Sequence, residues 1–169
     1  PQHLSRILES WECAVLTETL PVYFRAYLWL KLVTVWAVLR GEDSTWLDPT
    51  TLTYDKVLGL NGKLLQSKTT GPAKRIRIRS LRVSPKAKAY LVDPDWLPIG
   101  LKLWEAAEPM RQNFLVLPTG DYEGFQSLGA EPQDRAALTR LALHAGGFGI
   151  DGSDIPNEDI MLGWVSRFW

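Results

Sequence analysis

The apolar positions of the first forty residues fall into two patterns. Leu4, Ile7, Leu8, Trp11, Val15 and Leu16 recur at helical spacing and predict an amphipathic helix from Leu4 to Thr19. Pro21 suits the first turn of a second helix. The run that follows, VYFRAYLWLKLVTVWAVL from Val22 to Leu39, is apolar on every side and carries only Arg25 and Lys31 as charges. It predicts a buried helix running to about Arg40, with a guanidinium at its last turn. The period then changes. Asp48-Pro49 marks a turn, and Thr51 to Val57, Lys63 to Thr69 and Arg75 to Ser80 read as three short strands. Asn61-Gly62 is a hairpin signal, and Gly71-Pro72 forces a second reversal. Beyond Pro85 the spacing predicts helices over Leu97 to Ala107, Gln133 to Ala145 and Pro156 to Phe168. Asn113 to Thr119 reads as extended, and the stretch to Pro132 as loop. The expected fold class is α+β: a mainly helical domain with a small three-stranded antiparallel sheet.

Composition narrows the class without naming a function. A chain of 169 residues with 46 % apolar residues and eight tryptophans suits one folded domain, here read as residues 1–169. It opens on Pro1 and closes on Trp169, and both ends read as cuts in a longer chain. The single Cys13 excludes an internal disulfide framework and a cysteine-rich zinc site. His3 and His144 are too few and too far apart for a metal cluster, and His144 reads as structural. Val22 to Leu39 is the one stretch long enough to cross a membrane. Its two internal cations and its aromatics favour a buried helix of a globular protein instead. No signal peptide is visible, and an intracellular location is expected.

Charge changes the picture locally. Nineteen cations balance nineteen acids over the chain, so no global field draws it to nucleic acid. Between Lys68 and Lys88, however, stand eight cations and no acid: Lys68, Lys74, Arg75, Arg77, Arg79, Arg82, Lys86 and Lys88. In RIRIR the strand period sends Ile76 and Ile78 to one face and Arg75, Arg77 and Arg79 to the other. Such a comb fits phosphate tracking. It equally fits a solvated edge strand protected from aggregation by its charges.

Several short motifs, taken in order, resemble the catalytic domain of the tyrosine recombinase (phage integrase) family. LRGED supplies an Arg after a buried helix with an acid three residues on: Arg40 and Asp43. QSKTTGPAKRIRI places Lys68 where that family carries a hairpin lysine. EPQDRAAL offers Arg135 as the second arginine, and MLGW places Trp164 at the family's His/Trp position. The resemblance covers roughly Trp11 to Trp169. It departs from the pattern twice. Pro132 stands where the family has a His three residues before the second arginine, and no Tyr follows Trp164.

The resemblance implies metal-free and cofactor-free transesterification of a DNA phosphodiester through a phosphotyrosine, with the nucleophile falling past Trp169. Arg40 and Arg135 would clamp the non-bridging oxygens in fork geometry, and Lys68 would protonate the leaving 5′-oxygen. Trp164 would donate its indole N–H to the phosphate or pack against the nucleophile's helix, and Asp43 would orient Arg40. Lys74, Arg75, Arg77, Arg79 and Arg82 would follow the DNA backbone. Double-stranded DNA is the expected partner, with self-association on DNA, in the nucleus of a eukaryote or the cytoplasm of a bacterium. The present 169 residues are expected not to cleave by themselves. Each residue also has a structural reading. Arg40 can cap a helix C-terminus, Lys68 and Arg135 can be solvated surface cations, and Trp164 can be core. At the level of function, the alternatives are a DNA-binding relative that has lost cleavage and a helical protein-interaction module with a basic hairpin.

Overall fold

The computed structural model describes residues 2–40, 42–65, 79–83, 89–109 and 113–145, with the backbone alone at 2, 3, 79–83 and 145. Its elements are helices α1 (Gln2–Leu16), α2 (Val22–Trp36), α3 (Trp96–Ala107) and α4 (Pro132–Ala145), and strands β1 (Thr53–Asp55), β2 (Gly59–Leu64), β3 (Arg79–Val83), β4 (Val116–Pro118) and β5 (Phe125–Gly129). Two short 3-10 helices, Asp43–Trp46 and Pro49–Thr51, lie between α2 and β1. The molecule is α+β with helix dominant.

Helix α2 is the centre of the fold because its sequence is apolar almost all the way round, with one narrow polar stripe. Every residue from Tyr23 to Leu30 is buried, Arg25 included. It packs against both α1 and α3, which also touch each other. Helix α1 contributes one stripe, Ile7, Leu8, Trp11 and Val15. Trp11, Trp29, Trp96 and Trp104 bury their rings and keep their N–H groups bonded. Trp29 donates to Leu97 O on α3 at 2.8 Å, and Trp104 on α3 donates back to Ala26 O at 2.8 Å. Trp11 donates to Ala142 O at 3.4 Å, tying α1 to α4. Gly100 permits the close α2–α3 approach, because a methyl group there would fall on the Trp29 ring.

Two buried charges hold chain junctions. Arg25 donates from Nε to Val15 O at 2.9 Å, closing the C-terminal end of α1. Glu12 is fully buried, and its carboxylate accepts N–H bonds from Leu91, Val92 and Asp93 at 2.7, 2.8 and 3.2 Å. These charge-assisted bonds anchor the segment leading into α3 to the first helix.

In one antiparallel sheet β2 lies between β1 and β3, with Tyr54 opposite Leu60, and Leu60 opposite Val83. The boundaries differ from those expected. Asn61-Gly62 is not a turn but the middle of β2. The reversal lies at residues 56–58, where the Asp55 carboxylate accepts from the N–H groups of Val57 and Leu58, and Gly59 takes φ 83°. Gly62 is needed for packing, since a Cβ there would lie 2.9 Å from Leu52 Cδ2. A second ladder pairs β4, inside the stretch expected to be extended, with β5, which stands where loop was expected. Of the expected strand Arg75 to Ser80 only positions 79 and 80 lie among the described residues, and the expected helix Pro156 to Phe168 lies outside them.

Candidate functional site

Arg40 does not sit on the last turn of α2. The helix stops at Trp36, and a Schellman reversal follows: Leu39 N–H bonds Thr34 O at 2.9 Å and Val38 N–H bonds Val35 O at 3.2 Å. Leu39 folds back onto the core, and Arg40 emerges exposed beyond it. Asp43, 2 % exposed, acts on the main chain of Arg40. Its Oδ2 accepts the Arg40 N–H at 3.0 Å, while its own N–H bonds Arg40 O at 3.0 Å. The acid expected to orient Arg40 therefore fixes its backbone, the root of the side chain.

Arg135 approaches the same turn from α4. The start of that helix follows from its sequence. Pro132 is its first residue, where a missing N–H costs nothing, and Asp134 Oδ2 reaches back to the Glu131 N–H at 2.9 Å. One turn in, half-buried Arg135 donates from Nη1 to Thr45 Oγ1 at 3.0 Å, a residue ninety positions earlier. Thr45 belongs to the 3-10 helix that begins three residues after Arg40, and its carbonyl is pinned by the Phe114 N–H at 2.8 Å.

Between α2, α4 and this turn lies a cavity of about 110 Å³. Helix α2 lines it with Tyr27, Lys31 and Thr34, at i, i+4 and i+7; helix α4 adds Arg135 and Thr139, at i and i+4; and Ser44 comes from the turn. Tyr27 Oη bonds Thr139 Oγ1 at 2.9 Å and donates to Arg135 O at 3.3 Å. Burial pushes the Tyr27 phenol up to about 12, more than the Thr139 bond and the Arg135 charge pull it down. Burial also pushes the Lys31 ammonium below the usual lysine range. Lys31 makes no hydrogen bond or ion pair among the described residues. The residues lining the cavity thus include two cations and four hydroxyls but no acid. Sequence reading passed over Lys31, counting it only as a charge against a membrane span. The polar stripe Tyr27–Lys31–Thr34 on an otherwise apolar helix was the available signal.

The remaining expected site residues divide by location. Lys68, Lys74, Arg75, Arg77 and Trp164 lie outside the described residues. In β3 the register sets Arg82 opposite Asn61 and Arg79 opposite Leu64. A larger cleft of about 300 Å³, lined by Leu52, Leu101, Trp104 and Phe114 with Glu105 and Glu108, is apolar and acidic, and suits no phosphate. Among the described residues no three His, Cys, Asp or Glu side chains gather as metal ligands, and no helix is long and apolar enough to cross a membrane. No protein-family model, curated protein or solved structure matches the chain.

Proposed function

We propose that this chain is a duplex-DNA-binding domain of the tyrosine recombinase kind, its helices and three-stranded sheet serving phosphodiester chemistry. Arg40 and Arg135 clamp the phosphate, and Asp43 fixes the root of Arg40. Lys68 delivers the proton to the leaving oxygen, and Trp164 donates to the phosphate or packs against the nucleophile's helix. Lys74, Arg75, Arg77, Arg79 and Arg82 follow the DNA backbone, and cleavage passes through a tyrosine beyond Trp164 in a longer chain. The observation that carries this reading is the Arg135–Thr45 hydrogen bond, which brings the second motif arginine to a 3-10 helix that begins three residues after the first. Two guanidiniums near one turn can grip a phosphate in fork geometry.

One observation favours a second reading, a relative that binds DNA without cutting it. Pro132 occupies the position of the family's His and opens α4, so no proton-transfer group stands there.

The test is duplex binding across a salt series. Affinity should fall steeply, with a log–log slope of roughly 0.9 per phosphate contact, and Arg135→Ala should weaken it. A chain extended past Trp169 should then form a covalent adduct on nicked duplex that Arg40→Ala abolishes. Tight, salt-sensitive binding without an adduct selects the non-cleaving reading. Absence of binding at low salt rejects both and leaves the basic hairpin to an acidic protein partner.

A further inference from the structure

We propose that the cavity between α2 and α4 is a phosphate-binding site in which Lys31, a residue outside the recombinase-like motif set, supplies the second cation beside Arg135. It rests on the DNA reading only for the source of the phosphate; the chemistry of the cavity stands without it.

Three observations converge. First, the residues have matching spacing on facing elements: Tyr27, Lys31 and Thr34 on α2, Arg135 and Thr139 on α4, and Ser44 on the turn. A tetrahedral oxyanion is held by charged donors, and here an ammonium and a guanidinium line one cavity of about 110 Å³, among hydroxyls of which Thr34 already donates to Leu30 O and Tyr27 to Arg135 O. Second, no acid lines it. The acids adjacent in sequence are committed to backbone amides, Asp43 to the Arg40 N–H and Asp134 to the Glu131 N–H. Third, Lys31 is half-buried and bonded to nothing among the described residues, and burial depresses its basicity. A core position needing only volume would be served by Leu or Met. Holding a desolvated ammonium without a partner is costly, and a bound anion offsets that cost. Exposed Ala136 sits at the rim, where an anion can enter.

The test titrates inorganic phosphate into the full chain by calorimetry at fixed ionic strength, with chloride as the control anion. A short duplex is titrated separately over a salt series. Wild type should show saturable, one-site phosphate binding that chloride does not reproduce. Lys31→Met should weaken it at least tenfold, whereas Lys31→Arg should retain most of it. Lys31→Gln repeats the measurement should Lys31→Met misfold. If the DNA backbone is the source, Lys31→Met should also lower the salt slope for duplex by about one contact. Loss of phosphate binding with unchanged duplex binding assigns the cavity to a free phosphate or nucleotide. Phosphate binding in a chain that binds no duplex keeps the cavity and rejects the DNA reading. No saturable phosphate binding, or equal binding by Lys31→Met and wild type, overturns the proposal, and duplex binding in that case leaves the DNA reading intact.

Discussion

Val38 is the residue on which the position of Arg40 turns. It holds φ 55° and is 81 % exposed, so a β-branched side chain occupies the left-handed C′ position of a Schellman motif and packs on nothing. The left-handed conformation costs an L-residue about 1–2 kcal/mol, and the extra entropy of an unfolded glycine returns roughly 0.5–1 kcal/mol of that. Val38→Gly should therefore stabilise the fold by about 0.5–1 kcal/mol. The denaturation midpoint should rise at unchanged m-value, and a lower midpoint would show that Val38 has contacts that outweigh its strain. The same residue explains why the helix end was misplaced from sequence. Val38 and Leu39 prolong the apolar run, and Gly41 looks like the C′ glycine. The real reversal comes three residues earlier, on a residue whose type argues against it.

Among the elements, one glycine with a packing role was read as punctuation. Asn61-Gly62 is the dipeptide of a tight hairpin, yet Gly62 pairs with Leu81 inside the sheet and leaves room for Leu52. Asp55 and Gly59 make the turn instead. Glu12 was equally illegible, because its amide partners stand about eighty residues away and no local period points to them. The most exacting contact is Gly100 against Trp29. The indole cannot simply rotate away, because its N–H is bonded to Leu97 O on the same helix as Gly100. Gly100→Ala should therefore cost about 1–2 kcal/mol despite alanine's higher helix propensity, since overpacking of about 2–3 kcal/mol outweighs a propensity gain of about 1 kcal/mol. Urea unfolding measures it. A neutral or stabilising result would show that α2 and α3 can separate slightly without penalty.

Over the whole molecule, the helix-dominant α+β class was legible because amphipathic and all-apolar periods are local properties. The cavity was not, because it depends on stripes from α2 and α4 meeting across more than a hundred residues of chain. Two buried phenols on α2, Tyr27 at that junction and Tyr23 against β4, govern the response to alkali. Tyr23 and Tyr27 are buried, 0 % and 2 % exposed, and burial raises both phenols above their ordinary value of 10.0, Tyr27 to about 12. Above about pH 10 the unfolded chain releases two phenolic protons that the folded chain keeps. Stability present below that pH is therefore lost as pH rises, at roughly 1.4 kcal/mol per pH unit for each group. Lys31 works in the opposite sense. Its folded pKa lies below the unfolded value of 10.5, so the unfolded chain binds the extra proton and stability rises with pH up to that point. A shallow gain should therefore precede a steep fall between about pH 10 and 12, where two tyrosines outweigh one lysine. Chemical denaturation from pH 8 to 11.5 follows the curve. Tyr27→Phe should roughly halve the fall, and Lys31→Met should erase the preceding rise. A fall of the same steepness in Tyr27→Phe would place the alkaline transition outside the α2–α4 junction.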